Sequence, residues 1–139
     1  MDNMCQRPFS TVLDQLRTAG LRPTRQRLAL AKLLFNDCDR HISAEQLHGE
    51  ALENNIRVSL ATVYNTLHQF TEVGLLREIT VDSGRSYFDT NTSDHHHFLF
   101  VDSGRLEDIP DAMMGAIALP KIPDGVSIER VDVVVRLRR

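Results

Sequence analysis

Three consecutive imidazoles, His95-His96-His97, open an apolar run that ends at Val101. On a strand, residues 95 and 97 share a face and 96 points the other way, so two ring nitrogens can converge on one cation. If Ser103 and Gly104 form the centre of the turn that follows, Asp108 stands opposite Leu99, on that face and diagonal to His97. Asp89 lies a few residues upstream and can swing in. Nitrogen and carboxylate ligands without thiolate suit Fe(II), Mn(II) or Zn(II) and disfavour Cu(I). A bare His triplet would read as a solvated run; the flanking carboxylates favour a ligand site.

A second set of residues suits nucleic acid. Arg17, Arg22, Arg25, Arg27 and Lys32 form a block of five cations with no acid among residues 17–32. Arg22, Arg25 and Arg27 surround an expected helix start, where backbone N–H groups and cations together favour a phosphate. Further on, Ser59, Ala61, Thr62, Tyr64, Asn65, Thr66, His68 and Gln69 make the outward face of another expected helix, with no acid before Glu72. Asn65 and Gln69 suit adenine edges, and Ala61 and the Tyr64 ring suit thymine methyl groups.

The elements that must carry these residues follow from caps and periodicity. Ser10 or Thr11 can cap a helix with Val12, Leu13, Leu16 and Ala19 on one face, stopped by Gly20. Thr24 can cap a second, burying Leu28, Ala31, Leu34 and Phe35. Ser43 with Gln46 makes a capping box for a third, with Ala44, Leu47, Ala51 and Leu52 at helical spacing. Ser59 caps a fourth that runs to Gly74, with Leu60, Val63, Leu67 and Phe70 inward. Two strands, 75–81 and 85–89, joined by the Asp82-Ser83-Gly84 turn, complete a winged helix-turn-helix. Beyond it, strands at 95–101 and 105–109, a short helix from Pro110 to Leu119 and a strand at 127–137 make a smaller α/β unit. The expected class is α+β: a winged-helix DNA-binding domain over 1–88, a hinge at 89–94, and an α/β dimerisation and sensing domain over 95–139. So small a unit cannot enclose much core alone, and dimerisation would cover its exposed edge and apolar face.

Composition narrows the function classes. With 139 residues, 16 Lys and Arg, 19 Asp and Glu, and a net charge of -3, this is one ordinary domain or two small ones, not a protein coated in positive charge. Residues 1–88 balance ten cations with ten acids, and residues 89–139 carry six and nine. Apolar runs fall far short of a bilayer span and no secretory signal opens the chain, so no membrane association and a cytoplasmic location are expected. Cys5 and Cys38 make neither a disulfide framework nor a Cys-x-x-Cys pair, which excludes a structural zinc site built from four thiolates. His, His and Asp also form the facial triad of non-haem iron enzymes, but the winged helix leaves no substrate-sized domain, so no enzyme is expected.

These stretches together identify a resemblance. Residues 19–27 (Ala-Gly-Leu-Arg-Pro-Thr-Arg-Gln-Arg), 41–45 (His-Ile-Ser-Ala-Glu), 59–64 (Ser-Leu-Ala-Thr-Val-Tyr) and the His-x-His strand at 95–97 resemble the ferric uptake regulator family across essentially the whole chain. Residues 62–67, 87–91, the His triplet and the ending 132–139 are most similar to its iron response regulator branch in rhizobia and related bacteria.

The resemblance implies a homodimer that binds palindromic, AT-rich double-stranded DNA through Arg22, Arg25, Arg27, Ser59, Thr62, Tyr64 and Asn65. It places the family's regulatory ligands on His41, Asp89, His95 and His97, with the fifth ligand of peroxide-sensing members on Asp108. His41 enters only through the resemblance. The signal it implies is haem, with His95, His96 and His97 as candidate ligands, or a divalent Fe(II) or Mn(II) ion for which Zn(II) can substitute. Departures matter too. Phe100 and Ser103 stand where most members have Cys-x-x-Cys, and Asp94 and Val131 replace two His of a further metal site. Cys5 is followed by Gln6 where a Cys-Pro haem motif would need proline.

Overall fold

The computed structural model of the chain describes residues 9–35, 39–82 and 85–139, with side chains from Thr11 onward. Cys5, Gln6, Cys38, Ser83 and Gly84, and the expectations attached to them, lie outside the described residues. The chain divides into two units, Met1–Thr92 and Ser93–Arg139.

The first unit holds four helices and a small sheet: α1 (Phe9–Thr18), α2 (Arg25–Phe35), β1 (His41–Ile42), α3 (Ala44–Glu53), α4 (Leu60–Glu72), β2 (Arg77–Asp82) and β3 (Arg85–Asp89). The strand order is β1-β3-β2, all antiparallel. Oxygen caps set two helix starts, Ser43 accepting from the Gln46 N–H and Ser59 from the Thr62 N–H, both at 3.1 Å. Thr24 accepts from the Arg27 N–H at 3.2 Å and opens α2. Ser10 and Thr11 lie inside α1, which already starts at Phe9, so neither is its cap. Gly20 ends that segment with a φ of 83°, where a side chain would be strained.

Val12 and Leu16 of α1, Leu30, Leu34 and Phe35 of α2, Leu47 and Ala51 of α3, and Val63, Leu67 and Phe70 of α4 meet in one core. Two expected core positions are exposed. Leu52, one residue beyond Ala51 and so about 100° around the helix, is 55% exposed. Leu60 begins α4 a turn before Val63 and is 36% exposed.

The second unit is a three-stranded sheet of order β5-β4-β6, with β4 (His96–Phe100), β5 (Arg105–Ile109) and β6 (Val134–Leu137). The β4–β5 hairpin differs from expectation by two residues: Phe100 pairs with Arg105, His97 with Asp108 and Leu99 with Leu106. A four-residue turn causes this, with Gly104 at φ 75° and its N–H donating to the Phe100 carbonyl at 2.7 Å. The expected helix through Leu119 is only a 3-10 turn over Asp111–Met113, and irregular chain follows. Gly115 weakens so short a segment, and Met113, Ile117 and Leu119 are exposed, so no packing offsets the cost of nucleating a helix. The last strand starts at Val134 rather than at residue 127 and runs parallel to β4. Among the described residues no helix is long and apolar enough to cross a membrane.

Candidate metal centre and nucleic-acid interface

The first unit carries His41 and Asp89 in one cross-strand row. β1 pairs with β3 so that His41 faces Asp89, and β2 on the other side sets Arg77 opposite the same Asp89. Residues directly opposite share a face. His41 Nε2 lies 3.3 Å from Asp89 Oδ2, and Asp89 Oδ1 accepts from the Asn91 N–H at 2.8 Å. Asp89 and Arg77 are buried and His41 is half-buried. A buried carboxylate is costly unless compensated; here the His41 imidazole faces it from β1, and Arg77 holds the opposite register position in β2. Sequence reasoning passed over Arg77, although the period-two alternation of Arg77, Ile79 and Val81 puts it on the buried side of β2.

The second unit carries His95, His97 and Asp108. The two rings lie with centroids 4.5 Å apart, and both Nε2 atoms approach Asp108 Oδ1, at 3.3 Å from His95 and 3.4 Å from His97. Both imidazoles are buried while Asp108 is exposed. His95 Nδ1 lies 2.6 Å from the Ser93 carbonyl. A carbonyl only accepts, so Nδ1 carries the hydrogen and the neutral ring has its lone pair on Nε2, facing a carboxylate oxygen. Two acceptors that close require a proton or a cation between them. The donor set therefore fits a hard or borderline divalent ion. The direct pairing of His97 with Asp108, in place of the expected diagonal, is what brings this carboxylate between the two rings.

His96 points away, and its Nδ1 accepts from the Val133 N–H at 3.1 Å. That bond commits one ring nitrogen and places the hydrogen of the neutral ring on Nε2, which has no lone pair to offer an iron.

The outward face of α4 is partly as expected. Ala61 and Asn65 are exposed, but Thr66 is buried at 5% and belongs to the packed side. Ser59 and Thr62 are bound to each other, the Ser59 hydroxyl donating to Thr62 Oγ1 at 3.0 Å. Tyr64 packs its ring against the core edge and donates its hydroxyl to Glu45 Oε2 at 2.9 Å. That hydrogen bond, together with partial burial and the Glu45 charge, holds the Tyr64 phenol above its ordinary pKa. Gln69 is occupied as well: Arg27 donates to its Oε1 from Nε at 3.3 Å and from Nη2 at 3.1 Å, and from Nη1 to the Arg22 carbonyl at 2.9 Å. Arg27 thus clamps the start of α2 to α4, while Arg22 and Arg25 stay exposed. The partners Glu45 and Arg27 lie 19 and 42 residues from the residues they hold, beyond the reach of any local sequence pattern.

Comparison with known proteins bears on both sites. The family model of the ferric uptake regulator family matches residues 18–135. The ferric uptake regulation protein of Cupriavidus metallidurans is 37% identical over 98 residues, 70% of this chain and 68% of that protein. The peroxide operon regulator of Bacillus subtilis is 37% identical over 106 residues, 76% of this chain and 72% of that protein. Among solved structures, the ferric uptake regulator from Pseudomonas aeruginosa with manganese superposes with a TM-score of 0.69, covering 91% of this chain and 96% of that one at 27% identity.

Proposed function

The chain belongs to the ferric uptake regulator family, and from that premise we propose that it is a dimeric, iron-responsive regulator of the iron response type. Its binding to palindromic, AT-rich operators is set by a divalent ion at His41, Asp89, His95, His97 and Asp108. Membership makes it a metal-responsive transcription regulator. The observation that carries the choice of ligand is the convergence of the His95 and His97 Nε2 atoms on one oxygen of Asp108. When bound, an Fe(II) or Mn(II) ion, or a substituting Zn(II), supplies the positive charge that lets imidazole lone pairs and carboxylates converge. His41 and Asp89 belong to the first unit and the other three ligands to the second. A ligand set divided in this way couples occupancy to the orientation of the DNA-binding domain, provided the ion prefers the DNA-competent state.

On the DNA, Arg22 and Arg25 contact phosphates, and Asn65 and Tyr64 reach base edges from α4. Ser59, Thr62 and Arg27 hold that helix in place and meet the backbone. A haem signal would draw on His95, His96 or His97. The Val133 bond to His96 weighs against that ring, because axial ligation requires a free imidazole lone pair.

Operator affinity, read by fluorescence anisotropy during Fe(II), Mn(II) and haem titrations, separates these signals. A metal-dependent change that vanishes in His95→Ala/His97→Ala is expected, with the variant still folded. A Soret shift accompanied by haem-dependent and metal-independent affinity would overturn the reading.

Peroxide sensing is the second reading, favoured by the likeness to the B. subtilis regulator and by the position of Asp108 beside both rings. Peroxide treatment of the Fe(II) protein should then leave an added oxygen atom on His41 or His95, visible in peptide masses; unmodified peptides would remove this reading.

A further inference from the structure

The second unit separates its charges along the sheet. Asp94, Asp108 and Asp111 lie near the N-terminal end of β4 with the imidazoles, whereas Arg105, Arg138 and Arg139 gather at its C-terminal end. These three arginines line a cavity of about 420 Å³ together with Phe100, Asp102, Ser103 and Leu137. The cavity is built into the sheet. The Val101 N–H donates to the Leu137 carbonyl at 2.9 Å, and the Arg139 N–H to Asp102 Oδ2 at 3.2 Å, joining the β4–β5 turn to the end of β6.

Its lining fits an anion with a flat, apolar body. Phe100 and Leu137 supply the apolar wall. The Arg105 guanidinium lies over the Phe100 ring, 4.4 Å from its centroid, and its Nη2 is held by Glu107 at 2.7 Å. One face of that guanidinium is therefore covered and its plane is fixed, leaving the other face to stack on a planar ring. The Asp102 carboxylate already accepts a backbone N–H, while Arg138 and Arg139 are exposed at the mouth beside the Ser103 hydroxyl. Arg138 and Arg139 both line the cavity, and each guanidinium offers a forked pair of donors that matches phosphate oxygens. The volume suits a small metabolite.

We propose that this cavity binds a small phosphate monoester carrying a planar ring, a nucleoside monophosphate in chemical class. The phosphate meets Arg138, Arg139 and Ser103, and the ring stacks on Arg105. The occupant would tie the β4–β5 turn to β6, and so stabilise the unit by mass action.

The test is calorimetric titration of the metal-free, DNA-free whole chain with AMP, inorganic phosphate and adenosine at constant ionic strength, with backbone amide shifts followed by NMR. Metal and operator are left out, so failure here would leave the regulator reading untouched. Saturable AMP binding is expected, tighter than either fragment, with shifts at Ser103, Arg105 and Leu137–Arg139. Arg138→Gln/Arg139→Gln should weaken it by about tenfold or more, the effect of losing charge-assisted hydrogen bonds. Arg22→Ala/Arg25→Ala should leave it unchanged. The proposal is overturned by lack of saturation at millimolar AMP, by equal affinity for inorganic phosphate, or by undiminished binding in the Arg138/Arg139 variant. Loss of binding in the Arg22/Arg25 variant would overturn it equally, because the phosphate would then sit on the first unit.

Discussion

The two units of this chain solve the problem of stability differently. In the first, Phe35, Phe70, Phe88 and a set of leucines from four helices are fully buried around one another. In the second, the buried hydrophobics are Leu99, Leu106 and Ile109, while Met113, Ile117, Leu119, Val126 and Ile128 remain exposed. Burial of a large apolar side chain contributes about 1.5–3 kcal/mol, so the first unit can stand on its core. The second must draw on sheet hydrogen bonds and on whatever covers its apolar side. The first unit is thus self-sufficient, whereas the second leaves an apolar side for something else to cover.

Core truncation should break this contrast most visibly. Phe70→Ala removes a fully buried ring from α4 and should cost about 3–5 kcal/mol, melting the helices of the first unit. Leu99→Ala, in the centre of β4, should loosen the second unit while helical circular dichroism persists. If Leu99→Ala abolished the helical signal as well, the units would not be separately stabilised.

The next effect concerns the exposed apolar segment. A second copy of the chain is the expected cover, and Ile117→Glu/Leu119→Glu would place two charges against it. Sedimentation should then show a monomer, with dimer affinity reduced by at least about a hundredfold, since burying an unpaired charge costs several kcal/mol. An unchanged dimer would move the interface to another face.

The same contrast explains how far the sequence alone could be read. Helical spacing and the Ser43, Ser59 and Thr24 caps located α2, α3 and α4, because a closed core imposes a strict period on its residues. In the second unit no such period exists. A four-residue turn in place of a two-residue one shifted the β4–β5 register, and the expected helix to Leu119 lacked a face to pack. His41 is a related case. It sits on a strand two residues long, too short for any pattern, and only its pairing with Asp89 gives it a place. The alternation of the His triplet, by contrast, put His95 and His97 on one face and His96 on the other without any tertiary information.

Substitutions on the reading unit sharpen the comparison at smaller magnitude. Tyr64→Ala should cost about 1–3 kcal/mol of operator binding and weaken specific binding more than non-specific binding. Arg22→Ala should weaken both and flatten the salt dependence, the mark of a phosphate contact. If Tyr64→Ala left operator preference intact, α4 would not be the helix that reads bases.

The smallest effect tests whether the reading face is pre-set before DNA arrives. Tyr64 donates to Glu45, and ionising the phenol would break that bond and set a negative charge beside the carboxylate, so its pKa is raised. Whatever stability the bond contributes is present below the ordinary tyrosine pKa and is lost as pH rises through the higher folded value. The neighbouring groups are Glu45 on α3, the His68 ring with its centroid 6.2 Å away on α4, and Arg85 of β3, which lines the same small cavity. Tyr87 is the other tyrosine in the chain, so a Tyr87→Phe background isolates the phenol of interest. Tyrosinate absorbance in that background should rise at a pH above that of free tyrosine, and Glu45→Gln should move the step back down. A step that ignores Glu45→Gln would mean that Tyr64 is loose in solution, and that DNA rather than Glu45 orders the reading face.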